Sequence, residues 1–167
     1  MSPAIKTPIL ATLLLIAIHG PASLAQVPAV PAKPGEAVGT VKAGTAVVTL
    51  KHAYAQRLPD ETPPLYQVIL TDQPVAPEAL ANELKKFGGR PLLRAGKISG
   101  VSILVDARGS TRNVIPFIAD LRGSNSQGGG SLDKFAESPS GITGQGQKAP
   151  GEAWSYSASF NAALAKP

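Results

Sequence analysis

Two histidines occur in the 167 residues, and His52 is the one that stands in a clearly patterned stretch, Val47 to Arg57, VVTLKHAYAQR. A neutral imidazole can accept a proton near neutral pH, so His52 is the candidate general base or metal ligand. A base also needs a nucleophile and an orienting carboxylate in reach. Asp60, Glu61, Asp72 and Asp106 are the carboxylates on offer, and each equally fits a turn or a strand end. The chain has no cysteine, which excludes thiol catalysis, thiolate zinc sites and iron–sulfur ligation. One histidine with carboxylates is a poor zinc set, so neither a metal nor a cofactor is expected.

Two further patterns lack the context their chemistry needs. Ser131-Leu132-Asp133-Lys134 has the serine-x-x-lysine spacing of penicillin-recognising enzymes, but the partner motifs of those enzymes are missing and the chain is too short for their fold. Gly144 to Ala149, GQGQKA, imitates a dinucleotide fingerprint. Pro150-Gly151 follows it and rules out the helix start on which a pyrophosphate would rest.

Charge is distributed unevenly. Between Lys85 and Arg122 there are eight basic residues and two acidic ones, in a chain of formal net charge +5. Arg90 and Arg94 come before the apolar stretch Ile98 to Asp106, and Arg108 and Arg112 come after it. These four arginines are the candidate binding residues, and the partner they fit is an anionic envelope surface or another polyanion. A nine-residue strand sets the two pairs about 30 Å apart, which suits an extended surface better than a small anion. Aromatic residues make up 5% of the chain and lie far from these arginines, so no specific nucleic acid is expected.

Elements that would position these groups follow from periodicity. In the stretch from Val47 to Arg57 a period of two puts Val48, Leu50, His52 and Tyr54 on one face. Lys51 and Arg57 mark the other face as the wet one, which makes His52 and Tyr54 buried polar groups of interest. Val38 to Lys42 predicts a short strand before it, joined by Ala43-Gly44-Thr45. Leu65 to Asp72 is apolar on both sides and reads as a central strand. Pro77 to Phe87 predicts the one helix, with Leu80, Leu84 and Phe87 at helical spacing and Gly88-Gly89 as its stop. Ile98 to Asp106 alternates again, and Asn113 to Ala119 resembles a strand that Pro116 confines to an edge or a bulge. Gly123 to Ser131 has loop composition, and Leu132 to Ser140 shows neither period. Gly141 to Gly146 reads as a glycine-weakened strand. Trp154, Tyr156, Ala158 and Phe160 then share one face of a last strand, with Ser155, Ser157 and Ser159 facing water.

About seven strands with one short inserted helix predict an all-β domain, an antiparallel sandwich or small barrel, with an α+β sheet as the alternative. Residues 1–25 read as a signal peptide: Lys6, the apolar run Ile9 to Ile18, then Ser23-Leu24-Ala25 before the cut. The run is too short to span a bilayer, so no transmembrane segment is expected after cleavage. Residues 26–37, with prolines at 28, 31 and 34, read as an extended spacer, and residues 38–167 as a single β-rich domain.

His52-Ala53-Tyr54-Ala55, Leu70-Thr71-Asp72 and the terminal segment Tyr156 to Leu164, YSASFNAAL, resemble a recurring set in small exported bacterial β-domain proteins of uncharacterised function. The resemblance implies a compact periplasmic or secreted β domain and brings no activity with it. The expectation is therefore an exported, non-catalytic binding or interaction domain with a basic surface. The alternative is a small periplasmic hydrolase that pairs His52 with Asp72 or Asp106. When the chain is made in a secreting host, N-terminal sequencing and intact mass should give a protein that begins at Gln26. Recovery of the full chain from the membrane would mean that the apolar run is an anchor.

Overall fold

The computed structural model describes residues 27–31, 33–59, 61–76, 78–80, 97–118, 130–148 and 153–165. Nine strands follow in order: β1 (Glu36–Ala43), β2 (Ala46–Arg57), β3 (Leu65–Thr71), β4 (Gly100–Asp106), β5 (Ser110–Phe117), β6 (Gly130–Ser131), β7 (Asp133–Ser138), β8 (Gly141–Lys148) and β9 (Trp154–Leu164). All lie in one sheet of order β6-β5-β4-β3-β2-β1-β9-β8-β7. The sheet is curled into a half-barrel, so of the two all-β alternatives the barrel is the nearer description. β6 stands at one end of the strand order and β7 at the other, yet only Leu132 separates them in the chain. A single short segment therefore bridges both edges.

Three contacts hold that bridge. The Leu132 amide donates to the Gly109 carbonyl at 2.8 Å, in the turn between β4 and β5. Phe135 packs against Gly109 so closely that a Cβ added there would lie 2.8 Å from the Phe135 Cβ. From the middle of the sheet, the Tyr66 hydroxyl on β3 donates to the Glu137 carboxylate on β7. Burial first and the Glu137 carboxylate second push the Tyr66 phenol up to about 12, so it remains a donor across the physiological range.

Inside the curl lies the main core. Tyr66, Val68 and Leu70 of β3 meet Val101, Ile103 and Val105 of β4, and Trp154, Tyr156, Ala158 and Phe160 arrive from β9. β8 makes room for those aromatic rings. A Cβ on Gly144 would lie 2.9 Å from the Phe160 ring, and one on Gly146 would lie 2.7 Å from the Tyr156 hydroxyl. A second, smaller cluster covers the outside of the sheet: Ile69, Val75 and Phe117, with Tyr54, Ala79, Leu80 and Ile98 packed on it. It fastens the segment after β3 to the barrel wall. Of the helix expected over Pro77 to Phe87, Glu78 to Leu80 are described and helical, and the remainder lies outside the described residues.

The structure departs from the sequence expectation in three places. Leu132 to Ser140, read as neither helix nor strand, contains β7. Its side chains are mostly exposed, so no burial alternation marks it, and its pairing with β8 has a register shift between Asp133 and Ala136. In β2 the inward face changes parity. Leu50 is buried with Ala46 and Val48 packed near it, and beyond Lys51 and His52 the inward residues are Ala53 and Ala55. The change coincides with a bulge in β1, where Glu36 pairs with His52 but Gly39 with Leu50. A bulge adds one residue to one strand and bends it, so a strict period of two cannot run through. Ala53 and Ala55 are thus core residues and not part of a wet face. The third departure is the proline-rich lead-in read as a spacer. It lies on the sheet, where Gly35 donates to the Asn161 carbonyl at 2.6 Å and accepts from the Ala53 amide at 2.9 Å.

Pro116 sits where the sequence confined it. β6 pairs only with Ser110 and Thr111, so the rest of β5 has a single sheet neighbour among the described residues. Phe160→Ala is expected to cost about 3–5 kcal/mol in denaturant unfolding, because its ring fills the space that Gly144 leaves. Val38→Ser, at an exposed site on β1, should change stability by less than about 0.5 kcal/mol.

Candidate functional site

His52 is half-buried on β2, opposite Glu36 on β1 and Thr71 on β3. It is not enclosed with Leu50, because the parity change leaves Leu50 inward and puts His52 on the outward side together with Tyr54. Tyr54 is also half-buried, and its side chain lies in the outer cluster. There its hydroxyl accepts the Val75 amide at 2.9 Å, so Tyr54 anchors the segment after β3.

Both carboxylates proposed as partners for His52 are engaged elsewhere. Asp72 follows the residue paired with His52, and its Oδ1 accepts the Ser99 amide at 2.9 Å. Asp106 lies at the far end of β4, six residues from the Gly100 level at which Thr71 pairs. That separation is about 20 Å at the usual strand rise. Among the described residues His52 has no hydrogen bond to a carboxylate, and no group of three or more metal-ligating side chains is found.

Asp106 organises the turn between β4 and β5. Its Oδ1 accepts the amides of Arg108 at 2.9 Å and Ser110 at 3.0 Å, and its Oδ2 accepts from the Arg112 guanidinium at 3.2 Å. Burial alone would raise its pKa. The two amides and the Arg112 guanidinium outweigh burial and hold the carboxyl below its ordinary value. Arg108 is exposed, and the Arg112 side chain is 59% exposed while its guanidinium is fixed on Asp106. The pairings Arg57 with Tyr66 and Leu65 with Asp106 bring Arg57 to the same end of the sheet. Lys134, two residues beyond the Leu132 contact with Gly109, is exposed as well. Among the described residues, exposed Glu61 and Asp133, and Glu137 already bound by Tyr66, are acidic groups near this end. Arg90 and Arg94 lie outside the described residues.

A second polar arrangement went unnoticed in the sequence. On the outward face of β8 and β9, Gln145 Nε2 donates to the Pro28 carbonyl at 2.8 Å, and the Ser159 hydroxyl donates to the same oxygen. Asn161 Nδ2 reaches the Pro31 carbonyl at 3.3 Å. Ser159 is fully buried beneath the lead-in, so the serine face of β9 is not wholly wet. The signal was present in the alternation Gly144-Gln145-Gly146-Gln147 beside Ser155-x-Ser157-x-Ser159-x-Asn161, which puts donors on one face of two strands.

No protein family, no curated protein and no solved structure matches this chain. Among the described residues no helix is long and apolar enough to cross a membrane.

Asp106→Ala removes the acceptor of two turn amides and should lower stability by about 1–3 kcal/mol, read from the urea midpoint. Because the folded pKa of Asp106 is depressed, its contribution is complete above the ordinary carboxylate value. It disappears as pH falls through the lowered folded value. The stability difference between the parent and Asp106→Asn should therefore narrow on acidification through that range. A difference that stays constant there would contradict the assignment.

Proposed function

We propose that this chain is an exported, non-catalytic binding domain that meets an anionic envelope surface or polyanion through the basic end of its sheet. The observation that carries the reading is the state of the charged groups. The carboxylates nearest to catalytic use, Asp72 and Asp106, are bound to backbone amides, whereas Arg57 and Arg108 are exposed and Arg112 remains largely so. Acceptors bound to amides hold the chain together, a turn at Asp106 and two separate segments at Asp72. Exposed cations are what is left to meet a partner.

Arg112 has a special place in this arrangement. The Asp106 carboxylate orients its guanidinium, so less side-chain freedom is lost when the planar fork meets a phosphate or carboxylate. Arg108, projecting from the same turn, supplies a second exposed cation. Such contacts act over roughly 8 Å in physiological salt, which gives a surface association with a steep dependence on ionic strength.

The test is retention on vesicles of anionic lipid as salt rises, comparing the parent with Arg108→Glu. Arg108 is the cleaner site, because a carboxylate at position 112 would face Asp106 and disturb the turn. Retention at low salt, lost both on adding salt and on charge reversal, is the expected result. No retention at low salt, or retention indifferent to both changes, would reduce these arginines to a solvated surface.

A further inference from the structure

The outward face of β8 and β9 carries a repeated pair of donors. Gln145 and Ser159 are directly opposed in the strand pairing, and both donate to one carbonyl, that of Pro28. Two residues along each strand, Gln147 and Ser157 are opposed in the same register. They repeat the same two side-chain types on the same face. The Ser157 hydroxyl is buried and has no hydrogen-bond partner among the described residues, while Gln147 is exposed. A buried hydroxyl without a partner is uncommon, since it gives up its water without a replacement. One Ser/Gln fork is thus occupied, and its duplicate meets no acceptor among the described residues.

The occupied part shows what kind of ligand the face receives. The carbonyls bound are those of Pro28 and Pro31, three residues apart. A polyproline II segment has three residues per turn, so every third carbonyl falls on one side, and its own backbone makes no internal hydrogen bonds. Asn161 and the Ser159/Gln145 fork read two successive members of that series. Prolines at 28 and 31 also bring no backbone N–H that would need an acceptor on the donor-rich face. Val38, 47% exposed and paired opposite Ser159, offers an apolar flank.

We infer that the outward face of β8–β9 is a binding site for an extended, proline-containing peptide, and that Ser157 with Gln147 receives the carbonyl three residues before the one held by Ser159 and Gln145. The lead-in from Val27 to Pro31 is the intramolecular occupant of the first two positions. This site lies apart from the basic turn between β4 and β5, so its failure would leave the anionic-surface reading untouched.

Two synthetic peptides test the assignment. One is Pro-Ala-Val-Pro-Ala-Lys-Pro, the sequence of residues 28–34, and the other has a further Pro-Ala-Val in front. The receiving protein is the full chain with Pro28→Gly and Pro31→Gly, which loosens its own lead-in by backbone freedom and by N–H groups that the donor-rich face cannot accept, and leaves every side-chain donor of the face in place. Both peptides should bind, and the longer one at least roughly five-fold more tightly, since each neutral hydrogen bond added by the fork is worth about that factor. Adding Ser157→Ala and Gln147→Ala should erase that advantage and leave the shorter peptide unaffected. Equal affinities, an advantage that survives the two alanines, or no binding of either peptide would overturn the inference. If the double glycine variant fails to fold, the side-chain amide resonance of Gln147 is followed instead in the single Pro31→Gly chain, at peptide concentrations high enough to displace the loosened lead-in. It should shift with the longer peptide and not with the shorter, and a resonance that stays still with both would refute the site.

Discussion

Phe160 and Tyr156 can occupy the inside of the curled sheet because the neighbouring strand presents no side chain inward at Gly144 and Gly146. The rest of the structure depends on this exchange of volume between β8 and β9. An interior packs at the density of an organic crystal, so two large rings on one strand demand matching absences on the next. With the rings in place, the sheet has a core around which to bend. β6 and β7, separated by one residue in sequence, can then sit at opposite edges. The bridge at Leu132, the contact of Phe135 with Gly109 and the bond from Tyr66 to Glu137 close what the core has curled.

The same alternation that sends glycine inward sends glutamine outward. Gln145 and Gln147 stand on the far side of β8 because Gly144 and Gly146 face the rings, and Ser157, Ser159 and Asn161 stand outward on β9 because Tyr156, Ala158, Phe160 and Ala162 face in. The core requirement and the polar outer face are therefore one pattern seen from two sides. A segment rich in proline suits that outer face, since it brings carbonyl acceptors and few donors. From Val27 to Pro31 the lead-in is held by side chains of the sheet, and at Gly35 backbone bonds to Asn161 and Ala53 take over just before β1 begins at Glu36.

Charge follows a comparable division. Asp106 caps a turn and Asp72 ties the chain after β3 to the chain before β4, each by accepting backbone amides that fix the chain around it. At Asp106 the fixed chain includes Arg112, so one carboxylate both shapes the turn and orients a cation at the surface. His52 takes no part in this. It lies half-buried at the β1 bulge, at the point where the inward face of β2 changes parity.

Much of the fold was legible in the sequence because burial imprints a period. The run from Leu65 to Asp72, apolar on both sides, and the alternations from Ile98 to Asp106 and Trp154 to Phe160 each marked a strand, and Pro116 marked an edge, since an imide nitrogen cannot serve a central ladder. β7 was hidden because its exposed side chains carry no burial period. The inward place of Ala53 and Ala55 was hidden because alanine suits either face and a bulge on the neighbouring strand reset the phase. The candidate sites were less legible than the fold. Asp106 and Arg112 are near in sequence, but Arg57 joins them only through the pairings of β2 with β3 and β3 with β4. Gln145, Ser159 and Pro28 are separated by up to 131 residues, and nothing local ties them together. Sequence by itself determined which residues could face inward and which could not. Which outward residues became neighbours was decided by register, curl and the crossing at Leu132, because strand pairing is a relation between distant segments that no local period contains.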